Sequence, residues 1–218
     1  MIRAYYIKKN IEAIDEAGLS RMLCFLPPDR REKAMKFKFH EGQVLSALSY
    51  LTLLYLLEKE DIHHGPFEVV LKKNEKPGVA DESFCFNISH TKGAVLAAAG
   101  STPVGADIQR IMEKDFEGVA KRVMKPEELS LITRSKSPER EFARLWTLKE
   151  SYIKFTGEGI SALEAVPDLS AFEKNGGSLP GGPSFVTEES EELFISVCSN
   201  DTIEVRETGL DEVLRFLY

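Results

Sequence analysis

Cysteine is scarce. Cys24, Cys85 and Cys198 are the only three in 218 residues, and they are far apart, odd in number and in no CxxC spacing. That excludes a disulfide framework and a paired-cysteine metal site, and leaves small hydrophobes suited to a reducing compartment. A long apolar run is missing too. The greasiest stretch, residues 44–57, is 14 residues long, short of the roughly 20 a helix needs to cross a bilayer. No apolar h-region with a small-residue cleavage site is visible near the start, so no secretory signal is read there. A cytoplasmic, soluble protein with no membrane role is expected. Lysine and arginine number 28 against 35 aspartates and glutamates, a net charge of −7. A broad nucleic-acid surface is therefore not expected, and any anion site has to be a local patch. HExxH, P-loop, GxGxxG and GxSxG patterns are absent. What is present is ordinary globular composition, 43% hydrophobic and 29% charged, enough for one large domain or two lobes.

The patterning gives an order of elements. A strand at "IRAYYI" precedes a helix at "IEAIDEAGLSRMLCFL", which Pro27 and Pro28 end. "DRREKAMKFKFHEGQVLSALSYLTLLYLLEKE" reads as one helix, basic first and apolar later, that crosses the core. "FEVVLKKNEKPGVA" is a strand and a turn, and "SFCFNISHTKGAVLAAAG" is two strands joined near 91–93. "TPVGADIQRI" is another strand. In the second half "FEGVAKRVM" and "PEELSLIT" are helical, then a long helix covers 139–156. Strands at "SFVTEE", "LFISVCSN" and "TIEVRE" follow. Each half runs helices, a buried helix, then antiparallel strands, so two similar α+β lobes are expected, 1–103 and 104–218, with the boundary near 101–105.

The long helix poses a local question. Phe142, Leu145, Trp146, Leu148, Tyr152, Ile153 and Phe155 make a wide apolar face, yet Lys149 points into its middle. An unpaired buried lysine is too costly, so Lys149 either reaches out towards a site or snorkels. Just past the edge of that face, Glu150 and Lys154 stand at i and i+4, the order that stabilises a helix by about 0.2–0.5 kcal/mol. A surface ion pair explains them singly, as a solvent-facing strand end explains Asp107. Together they read differently. Two carboxylates from different elements with a lysine beside them can hold a hard divalent cation against phosphate oxygens, and the lysine can neutralise phosphate or protonate a leaving oxygen.

Two further clusters stand out. "DRREKAMKFK" carries five basic residues against two acidic ones. Arg30 and Lys33 share a helix face there, either as a solvated helix end or as a phosphate clamp. In "NISH", Ser89 and His90 end an apolar strand before a turn, where ligands often meet a sheet edge.

In this order and spacing, "FNISHTKG", "VGADIQ" and "LWTLKESYIK" resemble the Sfp-type 4′-phosphopantetheinyl transferases. Their pattern is a Gly-x-Asp strand followed by Trp-x-x-Lys-Glu-x-x-x-Lys, here Gly105, Asp107, Trp146, Lys149, Glu150 and Lys154. The resemblance implies a monomeric pseudo-dimer of two α+β lobes with coenzyme A and Mg²⁺ in the cleft between them. It implies transfer of phosphopantetheine to a serine of an apo carrier protein (acyl, peptidyl or aryl), with release of adenosine 3′,5′-bisphosphate. By the same resemblance Asp107 and Glu150 are metal ligands, with Gln109 beside them, and Lys154 contacts the diphosphate. Arg30 and Lys33 fall at the adenosine 3′-phosphate, and Ser46, Lys76, Ser89, His90 and Lys149 at further coenzyme A contacts. Glu128 in "AKRVMKPEEL" is the general base, with Glu127 its close competitor. The alternative is a non-catalytic protein of this type that only binds coenzyme A or a carrier.

Four positions depart from the pattern. Gln109 replaces a carboxylate common in the family, which leaves one less negative charge at the metal. Leu45 stands for an arginine ahead of Ser46, Glu75 for the glycine before Lys76-Pro77, and Glu158 for a lysine. The last three reduce positive charge, so weaker binding of coenzyme A or carrier is expected. For the carrier, "ISALEAVPDL" and the turn "TKG" are the candidate docking segments.

Overall fold

A computed structural model describes every residue except 73, 75, 113–115 and 217–218, and of 160 the backbone alone. Glu75, one of the four departures, thus lies outside the described residues. The first half runs β1 (Ile2–Ile7), α1 (Glu16–Cys24), α2 (Pro28–Met35), α3 (His40–Lys59), β2 (Val69–Leu71), β3 (Pro77–Val79), β4 (Cys85–Thr91) and β5 (Ala94–Gly100). The second runs β6 (Val104–Arg110), α4 (Phe116–Val123), α5 (Pro126–Arg134) and α6 (Pro138–Thr156). It continues through β7 (Gly176–Ser178), β8 (Ser184–Glu189), β9 (Leu193–Ser199), β10 (Ile203–Glu207) and α7 (Leu210–Phe216). The class is α+β. Two four-stranded sheets, ordered β10-β1-β5-β4 and β6-β9-β8-β7, each carry one long helix, and β2 and β3 form a separate ribbon.

Helix α3 is apolar on every side because every side is covered: from Val44 to Leu57 only Leu54 is not fully buried. Two of its buried hydroxyls are satisfied within the helix. Ser49 donates to the Leu45 carbonyl at 2.6 Å and Thr52 to that of Leu48 at 2.8 Å, the back-bonding open to hydroxyls in a helix. The single helix expected over 29–60 is two. α2 ends at Met35, and Phe39 takes the extended N-cap conformation ahead of α3. The break lets α3 enter the core while α2 stays on the rim. Gln43 Nε2 donates to the Phe37 carbonyl left open there, at 3.0 Å.

Helix α6 lies on its sheet along a row of small residues. Ala143, Thr147 and Ser151, spaced by four, are wholly buried, and Ser196 of β9 donates to Thr147 at 3.1 Å. Where the row crosses β6, Gly105 is required. A Cβ there would collide with the Ser151 carbonyl and the Phe155 amide, both backbone. Beside that row, Phe142, Leu145, Leu148 and Ile153 fill the second core. The helix stops at Gly157, left-handed at φ 71°, as C-terminal caps commonly do.

The chain returns to the first lobe at its end. β10 pairs in parallel with β1, from Ile2 opposite Ile203 to Tyr6 opposite Glu207. Leu210 and Val213 of α7 enter the core around α3. Residues 203–216 therefore complete the first lobe, and only 104–199 belong to the second. No helix among the described residues is long and apolar enough to cross a membrane.

Candidate active site

The two sheets pack on each other through a shared core in which Ile2, Ala4 and Leu96 meet Ala106, Ile195 and Val197, and along one side the edge strand β4 lies beside β6. A bare sheet edge presents unpaired backbone groups and needs cover. Here alternate side chains of β4 provide it, since residues two apart share a face. Asn87 Oδ1 accepts the Ala106 N–H at 2.9 Å, Ser89 Oγ donates to Asp107 Oδ1 at 2.8 Å, and Thr91 Oγ1 accepts the Arg110 N–H at 3.4 Å. The "FNISHT" segment is thus a polar lace between the lobes.

Asp107 is buried, and its charge is met by Lys154, whose Nζ lies 2.6 Å from Oδ1 and also donates to Ser89 Oγ at 3.0 Å. Gly105 makes this meeting possible by letting α6 approach β6. Glu150 sits one turn before Lys154, half-buried. Burial pushes its carboxyl above the usual carboxylate range, the Asp107 charge adds to this, and Lys154 opposes it. No hydrogen bond or ion pair engages the Glu150 carboxylate among the described residues.

On the other side of the cleft are cations without counterions. Arg30 is 6% exposed, its guanidinium 4.8 Å from the centroid of the Tyr50 ring and its Nε without a partner. No carboxylate lies within ion-pair distance of Arg30 or Lys33 among the described residues. Desolvation, then the Arg30 charge, lowers the Lys33 pKa. His90 is lowered by burial, then by Lys154, Lys33 and Arg30. A cavity of about 260 Å³ joins Arg30 and Lys33 to Lys76, Asn87, Lys154 and Gly157 in its wall. A buried guanidinium with an orphaned donor beside the exposed, unpaired Lys33 makes a site for a multiply charged anion.

The residues also fit a hard cation. Asp107 and Glu150 are coupled electrostatically and come from different elements. Among the described residues no cluster of three or more metal-ligating side chains exists, so any ion held here needs oxygen atoms from elsewhere. Mg²⁺ behaves in that way, taking one or two carboxylates plus substrate phosphates and water. The Gln109 side-chain nitrogen donates to the Arg110 carbonyl at 2.8 Å.

A family model described as the 4′-phosphopantetheinyl transferase superfamily matches residues 103–198. The 4′-phosphopantetheinyl transferase Sfp of Bacillus subtilis strain 168 is 34% identical over 151 residues, 65% of this chain and 64% of its own length. The 4′-phosphopantetheinyl transferase ffp of Bacillus subtilis is 34% identical over 158 residues, 68% of this chain and 67% of its own. The chain belongs to the 4′-phosphopantetheinyl transferase superfamily. A further Bacillus subtilis transferase of that name matches at 28% identity across 91% of both chains.

Within this superfamily member, the structure brings Arg30, Lys33, Lys76, Ser89, His90, Asp107, Glu150 and Lys154 to one cleft. Three expected residues, Glu128, Lys149 and Ser46, stand differently. Glu128 is wholly buried, its Oε2 accepting the Lys125 N–H at 2.7 Å and its Oε1 the Leu169 N–H at 3.1 Å. The Lys149 ammonium, also wholly buried, lies 2.9 Å from Oε2. A carboxylate so enclosed cannot reach a carrier serine, and Lys149 faces the second core and not coenzyme A. Its place on the greasy face is explained by its partner. Glu127, the competitor, is exposed on the first turn of α5. Ser46 is buried at 4% within α3 and does not line the cavity, and Leu45 is a core residue. Lys76 lines the cavity but also donates to the Val104 and Phe155 carbonyls, at 3.3 and 3.0 Å, tying the first lobe to the second. Asn87 and Tyr50 were missed. The signal for Asn87 was polar Asn87, Ser89 and Thr91 alternating with apolar Phe86 and Ile88.

Proposed function

We propose that this chain transfers the 4′-phosphopantetheine group from coenzyme A to a serine of an apo carrier protein. The observation that carries the reading is one cleft with unpaired Arg30 and Lys33 at one end and Asp107, Glu150 and Lys154 at the other. That is the charge pattern of a nucleotide diphosphate with a divalent cation. Arg30 and Lys33 bind the 3′-phosphate of the nucleotide, and His90 lies between them and the reacting end. Lys76 spends two of its three N–H donors on backbone carbonyls and has the third for phosphate.

Asp107 and Glu150 would hold Mg²⁺, which when bound neutralises diphosphate charge and makes the phosphorus more electrophilic. The serine oxygen forms a bond to the β-phosphorus as the bond to adenosine 3′,5′-bisphosphate breaks. Lys154, fixed by Asp107 and Ser89, donates a hydrogen bond to the departing oxygen. With Glu128 enclosed and Glu150 given to the cation, the serine proton passes to water at the mouth of the cleft. The non-catalytic alternative has nothing in the site to favour it, since Asp107, Glu150 and Lys154 are all assembled.

Intact-mass spectrometry of an apo acyl carrier protein incubated with the chain, coenzyme A and Mg²⁺ tests this. The expected result is a gain of one phosphopantetheine group, lost with EDTA and with Glu150→Gln. No gain on acyl, peptidyl or aryl carriers, despite coenzyme A binding, would establish the binder instead.

A further inference from the structure

One surface beside the cleft takes no part in this chemistry. Between α2 and α3 the chain reads Met35-Lys36-Phe37-Lys38-Phe39, and all three apolar side chains stand exposed, Phe39 to 70%. Single exposed apolar residues are ordinary, whereas three in one short segment at the edge of a site mark an interaction surface. Phe37 stands edge-on to His90, ring centroids 5.7 Å apart, so the ridge begins at the site itself. The segment is held in shape. The Phe37 N–H donates to the Ala34 carbonyl at 3.3 Å, Gln43 Nε2 to the Phe37 carbonyl, and the Gln43 N–H to the Phe39 carbonyl at 3.2 Å.

Its charge is opposite to that of the molecule. Lys38 stands 5.3 Å from the Phe39 ring centroid, Lys36 flanks it in an exposed pair with Glu32 at 3.0 Å, and Lys33 faces the cavity. A chain of net charge −7 repels acidic proteins at long range. An acidic partner is therefore captured only where a local basic field adjoins an apolar contact.

We propose that the 35–39 ridge is the docking surface for the carrier protein, and that the carrier presents an acidic face with apolar side chains to Met35 and Phe39 and carboxylates to Lys36 and Lys38. The proposal rests on the transferase reading. The position suits such a substrate, because a carrier seated on the ridge lies against His90, beside the cleft that its serine has to enter. The other two segments weighed for docking, 91–93 and 160–169, have no comparable apolar exposure among the described residues.

The test uses the full chain with an apo acyl carrier protein, in three variants: Lys36→Glu/Lys38→Glu, Phe39→Ser, and their combination. Serine is a favoured N-cap residue, so Phe39→Ser removes apolar surface without weakening the start of α3. Wild-type transfer, measured first, decides the transferase reading by itself. The variants then decide docking. Each should raise KM for the carrier about tenfold, with kcat and the coenzyme A Kd within about twofold of wild type. A carrier with its acidic face reversed to lysine should recover the charge-reversed variant. Unchanged KM in all three would overturn the proposal. So would a parallel loss of coenzyme A affinity, which would give the ridge to the nucleotide. A wild-type dimer in sedimentation velocity that the variants dissociate would overturn it as well, by making a second copy the occupant.

Discussion

Stripping a lysine of water costs several times what a buried leucine gains, and Lys149 has no exposed atom. Glu128 makes this tolerable by holding the ammonium and two backbone N–H groups at once, so that α5, α6 and the chain at Leu169 converge on one carboxylate. Removing one partner leaves the other charge enclosed and uncompensated, at a cost of about 3–5 kcal/mol. Lys149→Met and Glu128→Gln should each show such a loss in denaturant unfolding, and the double variant should recover a large part of it. Simple additivity would show that the pair is not coupled. A well-folded double variant should also keep its kcat, and a collapse of kcat there would return Glu128 to the role of base. Glu150 behaves in the opposite way. Its folded pKa is raised, so its contribution to stability is present below the unfolded carboxyl range and is lost as pH rises through the folded value. Only the ionised form favours a cation. Stabilisation by Mg²⁺ with coenzyme A should therefore grow as pH rises above the usual carboxylate range. Thermal unfolding of Glu150→Gln supplies the control for the titration of coenzyme A itself. An equal pH trend in that variant would remove Glu150 from the metal site.

At the scale of elements, the active site depends on how closely α6 lies on β6. Gly105 sets that distance, because a methyl group there meets backbone on both contacts and no side chain can swing aside. Gly105→Ala should displace α6, and a misplacement of about 1 Å at reacting groups lowers rate by about 100-fold. Steady-state assays should show this chiefly in kcat, with a smaller loss of coenzyme A affinity because Arg30 and Lys33 are on the other lobe. A variant with normal kcat would mean that α6 tolerates the shift. The sequence carried the Gly-x-Asp strand, the long helix and its charged edge, because periodicity and spacing are local. It did not carry the break between α2 and α3, where an unbroken polar-to-apolar pattern hides a change of direction. Nor did it carry the partner of Lys149, 21 positions earlier in the chain, since periodicity shows which face is buried but not what faces it. For the same reason Glu128, named by resemblance, gave no sign that both its oxygens were already taken.

For the whole molecule, the return of the chain to its beginning matters most. β10 covers one side of β1, α7 seals the core around α3, and Asp201 pairs with the amino group of Met1. The halves are therefore interdependent: each has its own sheet, and the two share a core in which Ile2, Ala4 and Leu96 meet Ala106, Ile195 and Val197. Expressed alone, residues 1–103 would leave the edge of β1 bare, together with the α3 surface that Leu210 and Val213 bury. Such an edge promotes association. The β4 lace of Asn87, Ser89 and Thr91 would also lose its acceptors and donors on β6, and the Lys76 ammonium its two carbonyls. Residues 1–103 and 104–218 should each be aggregated or poorly folded by circular dichroism and gel filtration, and should regain a single cooperative transition and transferase activity when produced together. Restoring the missing pieces separates the causes. A polypeptide joining residues 200–218 to 1–103 through a flexible linker should fold better than 1–103, yet should bind coenzyme A weakly, because Lys154 and the Gly157 wall of the cavity are on the other half. If 1–103 alone folded cooperatively, the returning strand would be an accessory, and the lobes would be independent domains that merely share a cleft.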